Sequence, residues 1–199
     1  DALDVQSGKW GVTPVLDVQD NIFLGPTGDE GIDLEGDVYI AGNFFSNIKK
    51  DNFTEDMGYA NALSLGDPSD AADTTAVITR NVFTRVDHVV SLKGNTGAIV
   101  EHNTIACQNN DYAFTSGSVP QTVRTSVVGF FIPEDAKTPG DGAYLAYNIM
   151  YGSDAHFGGA GAAGYPRVFS GADSGTTTAK IEMFANFIDL PDSYVLCPM

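Results

Sequence analysis

Val77-Ile78-Thr79-Arg80-Asn81-Val82-Phe83 and Ile99-Val100-Glu101-His102-Asn103-Thr104-Ile105 each run an aliphatic strand pattern into an asparagine. The pattern recurs in Val38-Tyr39-Ile40-Ala41-Gly42-Asn43-Phe44-Phe45, Tyr144-Leu145-Ala146-Tyr147-Asn148-Ile149-Met150 and Ile181-Glu182-Met183-Phe184-Ala185-Asn186-Phe187-Ile188. Asp20-Asn21-Ile22-Phe23 begins the series. The spacings are 43−21 = 22, 81−43 = 38, 103−81 = 22, 148−103 = 45 and 186−148 = 38. A fixed step, with insertions added to it, marks a solenoid whose repeats bury their apolar faces only against one another.

A chain winding in stacked coils must turn sharply at the same place in each coil. Asparagine tolerates a left-handed backbone, and its side chain bonds to local peptide groups. Stacked amides also bond to each other along the axis, as in the Asn ladders of stacked strands. Asn21, Asn43, Asn81, Asn103, Asn148 and Asn186 are therefore read as structural turn residues and not as ligands.

A second pattern lies between these corners. Gly31-Ile32-Asp33-Leu34-Glu35-Gly36-Asp37, Ala62-Leu63-Ser64-Leu65-Gly66-Asp67 and Val89-Val90-Ser91-Leu92-Lys93-Gly94-Asn95 share an apolar-x-Leu core followed by glycine. One repeat thus holds at least two short strands, and their alternation suits a sheet with one face on a core and the other in water. The expected fold is all-β: a right-handed parallel β-helix, a solenoid of about six to eight coils with loop insertions.

Length and composition fit one domain over residues 1–199, because a solenoid core grows by addition. The chain is 43% hydrophobic with twelve Phe and eight Tyr, a globular composition. It begins at Asp1 without methionine and ends at Pro198-Met199, which reads as a processed or excised piece of a longer secreted protein. A formal charge of −16 repels phosphate backbones and anionic lipid surfaces, and no run approaches the length of a membrane span, so neither nucleic acid nor membrane insertion is expected. Two cysteines, Cys107 and Cys197, support no metal framework and read as mostly buried thiols, with a disulfide between them as the lesser alternative.

Insertions carry a solenoid's individuality. Candidate excursions are residues 49–59, 67–75, 109–142 and 152–178. The 45-residue step exceeds the 22-residue step by nearly a whole coil, and Val127-Val128-Gly129-Phe130-Phe131-Ile132 reads as the strand that completes an added one.

The chemistry-bearing residues are sparse. Asp29, Glu30 and Asp33 flank the first Leu-Glu-Gly strand, and Asp67, Asp70 and Asp73 share one polar loop. Carboxylates gathered this way suit a hard cation, so these six are candidate calcium ligands, although no cofactor is required by the fold. Neither group matches the twelve-residue calcium loop or the glycine-rich nonapeptide. If Leu34, Leu65 and Leu92 stack, then Glu30, Asn61 and His88 form one column and Glu35, Gly66 and Lys93 another. Such a column beside a parallel sheet would make a shallow carbohydrate groove, with Arg80, Arg85 and Tyr112 nearby in sequence. Candidate substrate-binding residues are thus Arg85, Tyr112, Glu30 and Asn61.

The stretches from Gly28 to Asn43, from Arg80 to Lys93 and from Val128 to Asp135 resemble the right-handed parallel β-helix region of very large secreted bacterial surface proteins. Those proteins often also carry lamin-tail and CotH-kinase-like domains. The resemblance spans about Asp17 to Ile188 and implies a module without established catalytic residues. Val90-Ser91-Leu92-Lys93 is also similar to a strand of β-helical polysaccharide lyases of the chondroitinase-B and alginate-lyase type. That resemblance implies Lys93 as general base, with an Arg as general acid and a calcium on the substrate's uronate. The Ser that follows in that family is Gly94 here, and Thr115-Ser116 stands where the Arg is wanted.

Two functions follow as expectations. The first is a non-catalytic secreted or cell-surface module presenting loops for adhesion, matrix assembly or glycan binding, with a polysaccharide or another extracellular protein as partner. The alternative is a polysaccharide lyase or glycoside hydrolase acting on an acidic polysaccharide, with Lys93 and His88 catalytic. The β-helix hosts both classes, so the site must decide between them.

Overall fold

The computed structural model describes residues 2–5, 16–25, 27, 30–48, 60–66, 74–86, 88–94, 96–106, 112–116, 119–123, 130–132, 142–151, 169–171 and 180–189. Every element among them is a strand. The first sheet contains Leu3–Val5 (β1), Glu30–Leu34 (β4), Asn61–Leu65 (β7), His88–Leu92 (β10), Phe130–Ile132 (β15) and Phe169–Gly171 (β18). The second contains Leu16–Gln19 (β2), Val38–Ala41 (β5), Thr74–Thr79 (β8), Thr96–Glu101 (β11), Gly142–Ala146 (β16) and Lys180–Phe184 (β19). The third contains Ile22–Leu24 (β3), Phe44–Ser46 (β6), Val82–Thr84 (β9), Thr104–Ala106 (β12), Ile149–Tyr151 (β17) and Phe187–Asp189 (β20). Tyr112–Ser116 (β13) and Val119–Val123 (β14) form a separate antiparallel hairpin.

All neighbours within the three six-stranded sheets are parallel. The chain visits the sheets in rotation, an arrangement consistent with a parallel β solenoid. Alternation explains which side chains go inward. Val38 and Ile40 are buried while Tyr39 between them is not, and Ala98 and Val100 are buried while Ile99 is exposed. In the third sheet the inward position stacks Phe23, Phe45 and Phe83 at centroid separations of 4.8 and 4.9 Å. The same column continues through Ile105, Met150 and Ile188. Identical residues one strand apart meet face to face, so repeated aromatics build a continuous apolar spine.

The link from second to third sheet is always two residues long, and the second of the two is a ladder asparagine. The left-handed residue is the one before it: Asp20 (φ 57°), Gly42 (69°), Arg80 (56°), His102 (58°), Tyr147 (56°) and Ala185 (49°). This corrects the sequence expectation that the asparagine itself takes the left-handed turn. Turning one residue earlier leaves each asparagine free to project its amide along the stacking direction. Non-glycine residues in that region cost on the order of 1 kcal/mol each and persist where surrounding bonds over-determine the turn.

Those bonds run through all six asparagines. Asn21, Asn43, Asn81, Asn103 and Asn148 each donate both backbone N–H and side-chain Nδ2 to Oδ1 of the next, at 2.9 to 3.1 Å. From Asn43 onward, Nδ2 also donates to a carbonyl in the preceding strand of the second sheet: Val18, Ile40, Ile78, Val100 and Leu145 in turn. Asn43, Asn81, Asn103 and Asn148 are 1% exposed, so the ladder satisfies polar groups that water does not reach.

Two further expectations are corrected. The 45-residue step adds no layer to the second or third sheet, because β11 pairs directly with β16 and β12 with β17. Part of the excess is the β13–β14 hairpin, while Phe130–Ile132 takes its ordinary place between β10 and β18. The first sheet also departs from the one-face-wet pattern. Ser64 and Ser91 stand opposite the inward leucines yet are buried, and all five residues of β10 are buried, so this part of the sheet is covered on both faces.

Candidate functional site

The first sheet gathers the polar residues. Leu34, Leu65 and Leu92 stand in register, and four positions earlier so do Glu30, Asn61 and His88. The three are bonded in sequence: His88 Nδ1 lies 3.1 Å from Asn61 Oδ1, and Asn61 Nδ2 lies 3.4 Å from Glu30 Oε1. With Asn61 donating toward Glu30, its Oδ1 is the acceptor, which assigns the proton to His88 Nδ1. His88 is 8% exposed, and desolvation lowers its pKa from 6.5 to about 4. At neutral pH the column is a neutral imidazole, an amide and a half-buried carboxylic group, each held by its neighbour. It supplies hydrogen-bonding groups but not a charged imidazolium.

Lys93 follows β10 and reaches across β7 to β4. Its Nζ donates to both carboxylate oxygens of Asp33, each at 3.1 Å, and the two side chains are 24% and 19% exposed. Ser64 of β7 and Ser91 of β10 stand in register with Asp33. The ammonium therefore faces a carboxylate of its own chain. Ser64 Oγ is buried with no hydrogen-bond partner among the described residues. Tight turns shape this edge: Gly66 has φ +94°, and a Cβ there would collide with Thr96 Oγ1 and the Lys93 carbonyl.

The other candidates are dispersed. Arg85 is exposed in the left-handed turn after β9 (φ 57°), whereas Arg80 lies at the asparagine corner and donates to the Tyr39 hydroxyl at 3.3 Å. Tyr112 opens β13 and is described in its backbone alone. Of the proposed calcium ligands, Glu30 bonds Asn61 and Asp33 bonds Lys93, while Asp29, Asp67, Asp70 and Asp73 lie outside the described residues, as do Cys107 and Cys197. Among the described residues no three His, Cys, Asp or Glu side chains converge as a metal set.

One surface was missed from sequence. The outward column of the second sheet is Asp17, Tyr39, Val77, Ile99, Tyr144 and Glu182. Its first part borders a concavity of about 450 Å³ lined by Asp17, Asp37, Val38, Tyr39, Thr75 and Val77. Each column member lies four residues before a ladder asparagine, so subtraction along the repeat would have found it. At the adjoining corner His102 and Tyr147 stack at 5.1 Å, and Phe184 meets Tyr147 edge-on at 5.5 Å.

Links between sheets are unequal. From second to third they are two residues; from third to first they include 47–60, 107–129 and 152–168, the last two longer than any other link between described strands of the three sheets. The start of the first sheet is thus the edge that receives the longest insertions, at β15 and β18, while Glu30, Asn61 and His88 align on the same edge in β4, β7 and β10, which follow links 25–29, 47–60 and 85–87. No family model, curated protein or solved structure matches the chain.

Proposed function

We propose that this chain is a non-catalytic, secreted or cell-surface module, a right-handed parallel β-helix of about six to eight coils that presents its loops for adhesion, matrix assembly or glycan binding. The observation that carries the reading is the asymmetry of its links. One corner is held invariant by the asparagine ladder, and the longest insertions enter the start of the first sheet at β15 and β18, one and two strands beyond the bonded Glu30, Asn61 and His88 column. Insertions on one side of a repeat scaffold form its binding surface. Support comes also from Lys93, whose ammonium is engaged by Asp33 in the place where a lyase would need a free base. An acidic chain of this kind suits neutral glycans or basic protein surfaces better than polyanions.

The test is incubation with a panel of neutral and acidic glycans, with and without calcium, reading both retention and ultraviolet absorbance of an unsaturated product. Retention of a glycan without that absorbance and without new reducing ends supports the module. Appearance of the absorbance, abolished by Lys93→Ala, replaces it with the lyase.

A further inference from the structure

A concavity on the outward face of the second sheet combines an aromatic wall with two carboxylates that no cation balances. It centres on β5 and β8, each paired with a strand on both sides, so it lies within the sheet. Asp37, the residue before β5, anchors it: Oδ1 accepts the Thr75 N–H of β8 at 2.8 Å, and Oδ2 accepts from no described residue. Asp17 borders it from β2 and is bonded by Gln19 Nε2 at 2.8 and 2.9 Å. Neither carboxylate meets a Lys or Arg among the described residues, and Arg80 donates instead to the Tyr39 hydroxyl at 3.3 Å.

The remaining lining is largely apolar. Tyr39 stands in register with Asp17 and Val77, and Val38 beside it is buried. The volume, about 450 Å³, falls within the range of specific ligand pockets. A long basic side chain matches this lining: its methylene stem covers Tyr39 and Val77, while its charged head meets the tyrosine ring and the carboxylates of Asp37 and Asp17. Charge complementarity favours it over a sugar, because 26 acidic against 10 basic residues draw cations to the surface, and a neutral hydroxyl would leave both carboxylates unbalanced. Beyond Val77 the same column continues through Ile99 and Tyr144, 38% and 37% exposed. A peptide has apolar neighbours to lay along that track, whereas a free amine or a metal ion has none.

From these relationships we infer that the concavity docks a basic segment of a partner protein, which inserts an arginine or lysine side chain against Tyr39, Asp37 and Asp17 and lays its apolar neighbours along Ile99 and Tyr144. The inference rests on the non-catalytic module proposed above and gives it a partner on a face other than the loop-bearing edge. Such contacts are charge-assisted and partly exposed, so affinity falls as salt rises.

The test titrates the isotope-labelled chain with a capped Leu-Arg-Leu-Arg-Leu peptide, its Leu-Glu-Leu-Glu-Leu counterpart and maltohexaose, following backbone amide shifts by NMR. The arginine peptide alone should shift the amides of Tyr39, Thr75, Val77 and Ile99 to saturation, with affinity falling as sodium chloride is added. Asp37→Asn keeps an acceptor for the Thr75 N–H and should weaken binding about tenfold, as for loss of one charge-assisted hydrogen bond. Tyr39→Leu should weaken it roughly two- to fivefold, the worth of an exposed cation–π contact. Thr75→Lys, at an exposed position, puts an internal cation in the site and should abolish binding without changing the circular dichroism spectrum. Glu182 lies four strands from Asp37, about 19 Å at the usual strand spacing. That is beyond the Debye length at physiological salt, so Glu182→Gln should change binding less than about twofold. Equal weakening by Asp37→Asn and Glu182→Gln, or shifts scattered over the acidic surface, means diffuse attraction and overturns the inference. Absence of shifts overturns it too, as do shifts at these amides caused by maltohexaose and not by the peptide. A silent concavity in a chain that retains glycans leaves the module standing, whereas peptide shifts in a chain that also forms the unsaturated lyase product keep the site and overturn the module.

Discussion

Asn103 holds Asn81 twice: its Oδ1 accepts the backbone N–H of Asn81 at 2.9 Å and the side-chain Nδ2 of the same residue at 3.1 Å. Both donors are buried, so one amide oxygen satisfies two groups that water cannot reach. Asn103→Ala should therefore cost about 2–4 kcal/mol, because a buried polar group left without a partner costs roughly 1–3 kcal/mol. Asn21→Ala, at the exposed end of the ladder, should cost less than about 1 kcal/mol. Urea unfolding of both variants checks the difference, and equal losses would show that the buried ladder is not the source.

His88 makes stability depend on pH. Its folded pKa lies near 4 and its unfolded value near 6.5, so below about 6.5 the unfolded chain binds a proton that the folded chain refuses. Stability is fully present above 6.5 and is lost as pH falls toward 4, by on the order of 3 kcal/mol. Unfolding free energies of the wild type and His88→Gln, measured from pH 7.5 to 4, should converge as the pH falls. A His88 imidazole that titrates near 6.5 by NMR contradicts the buried column.

The Lys93–Asp33 pair is three-quarters buried or more and bridges the intervening strand β7, so it should behave as a modest tie between layers. Lys93→Met should cost about 1 kcal/mol in low salt and less at 1 M sodium chloride, where screening weakens the wild-type pair. Glycan retention should be unchanged by this variant. Loss of retention would place Lys93 at the binding surface instead.

Phe45 lies between Phe23 and Phe83 in the aromatic spine and has no exposed surface. Phe45→Ala should cost about 3–5 kcal/mol through lost burial, a cavity and two lost ring contacts. Phe45→Leu should recover much of that in thermal melts. A loss below about 1 kcal/mol in the alanine variant would mean that the third sheet does not face the core.

Much of this was legible because solenoid repeats convert sequence offset into spatial register. The asparagine spacing carries the invariant corner, and Leu34, Leu65 and Leu92 carry the alignment of Glu30, Asn61 and His88. The third sheet escaped because strands such as Val82–Thr84 are three residues long, too short to show alternation. The left-handed position escaped because Arg80, His102, Tyr147 and Ala185 share no residue type: the asparagine bonds impose that conformation from outside. Two-sided burial of β7 and β10 and the Lys93–Asp33 contact across 60 residues depend on tertiary placement, which local pattern does not encode.

Hydrogen exchange at the ladder amides tests the central claim most directly. If the backbone N–H groups of Asn43, Asn81, Asn103 and Asn148 are bonded along one buried row, they exchange only through global unfolding, with protection equal to that of Ile78 and Val100. Exchange of these four through local opening, at rates typical of loop amides, would contradict it.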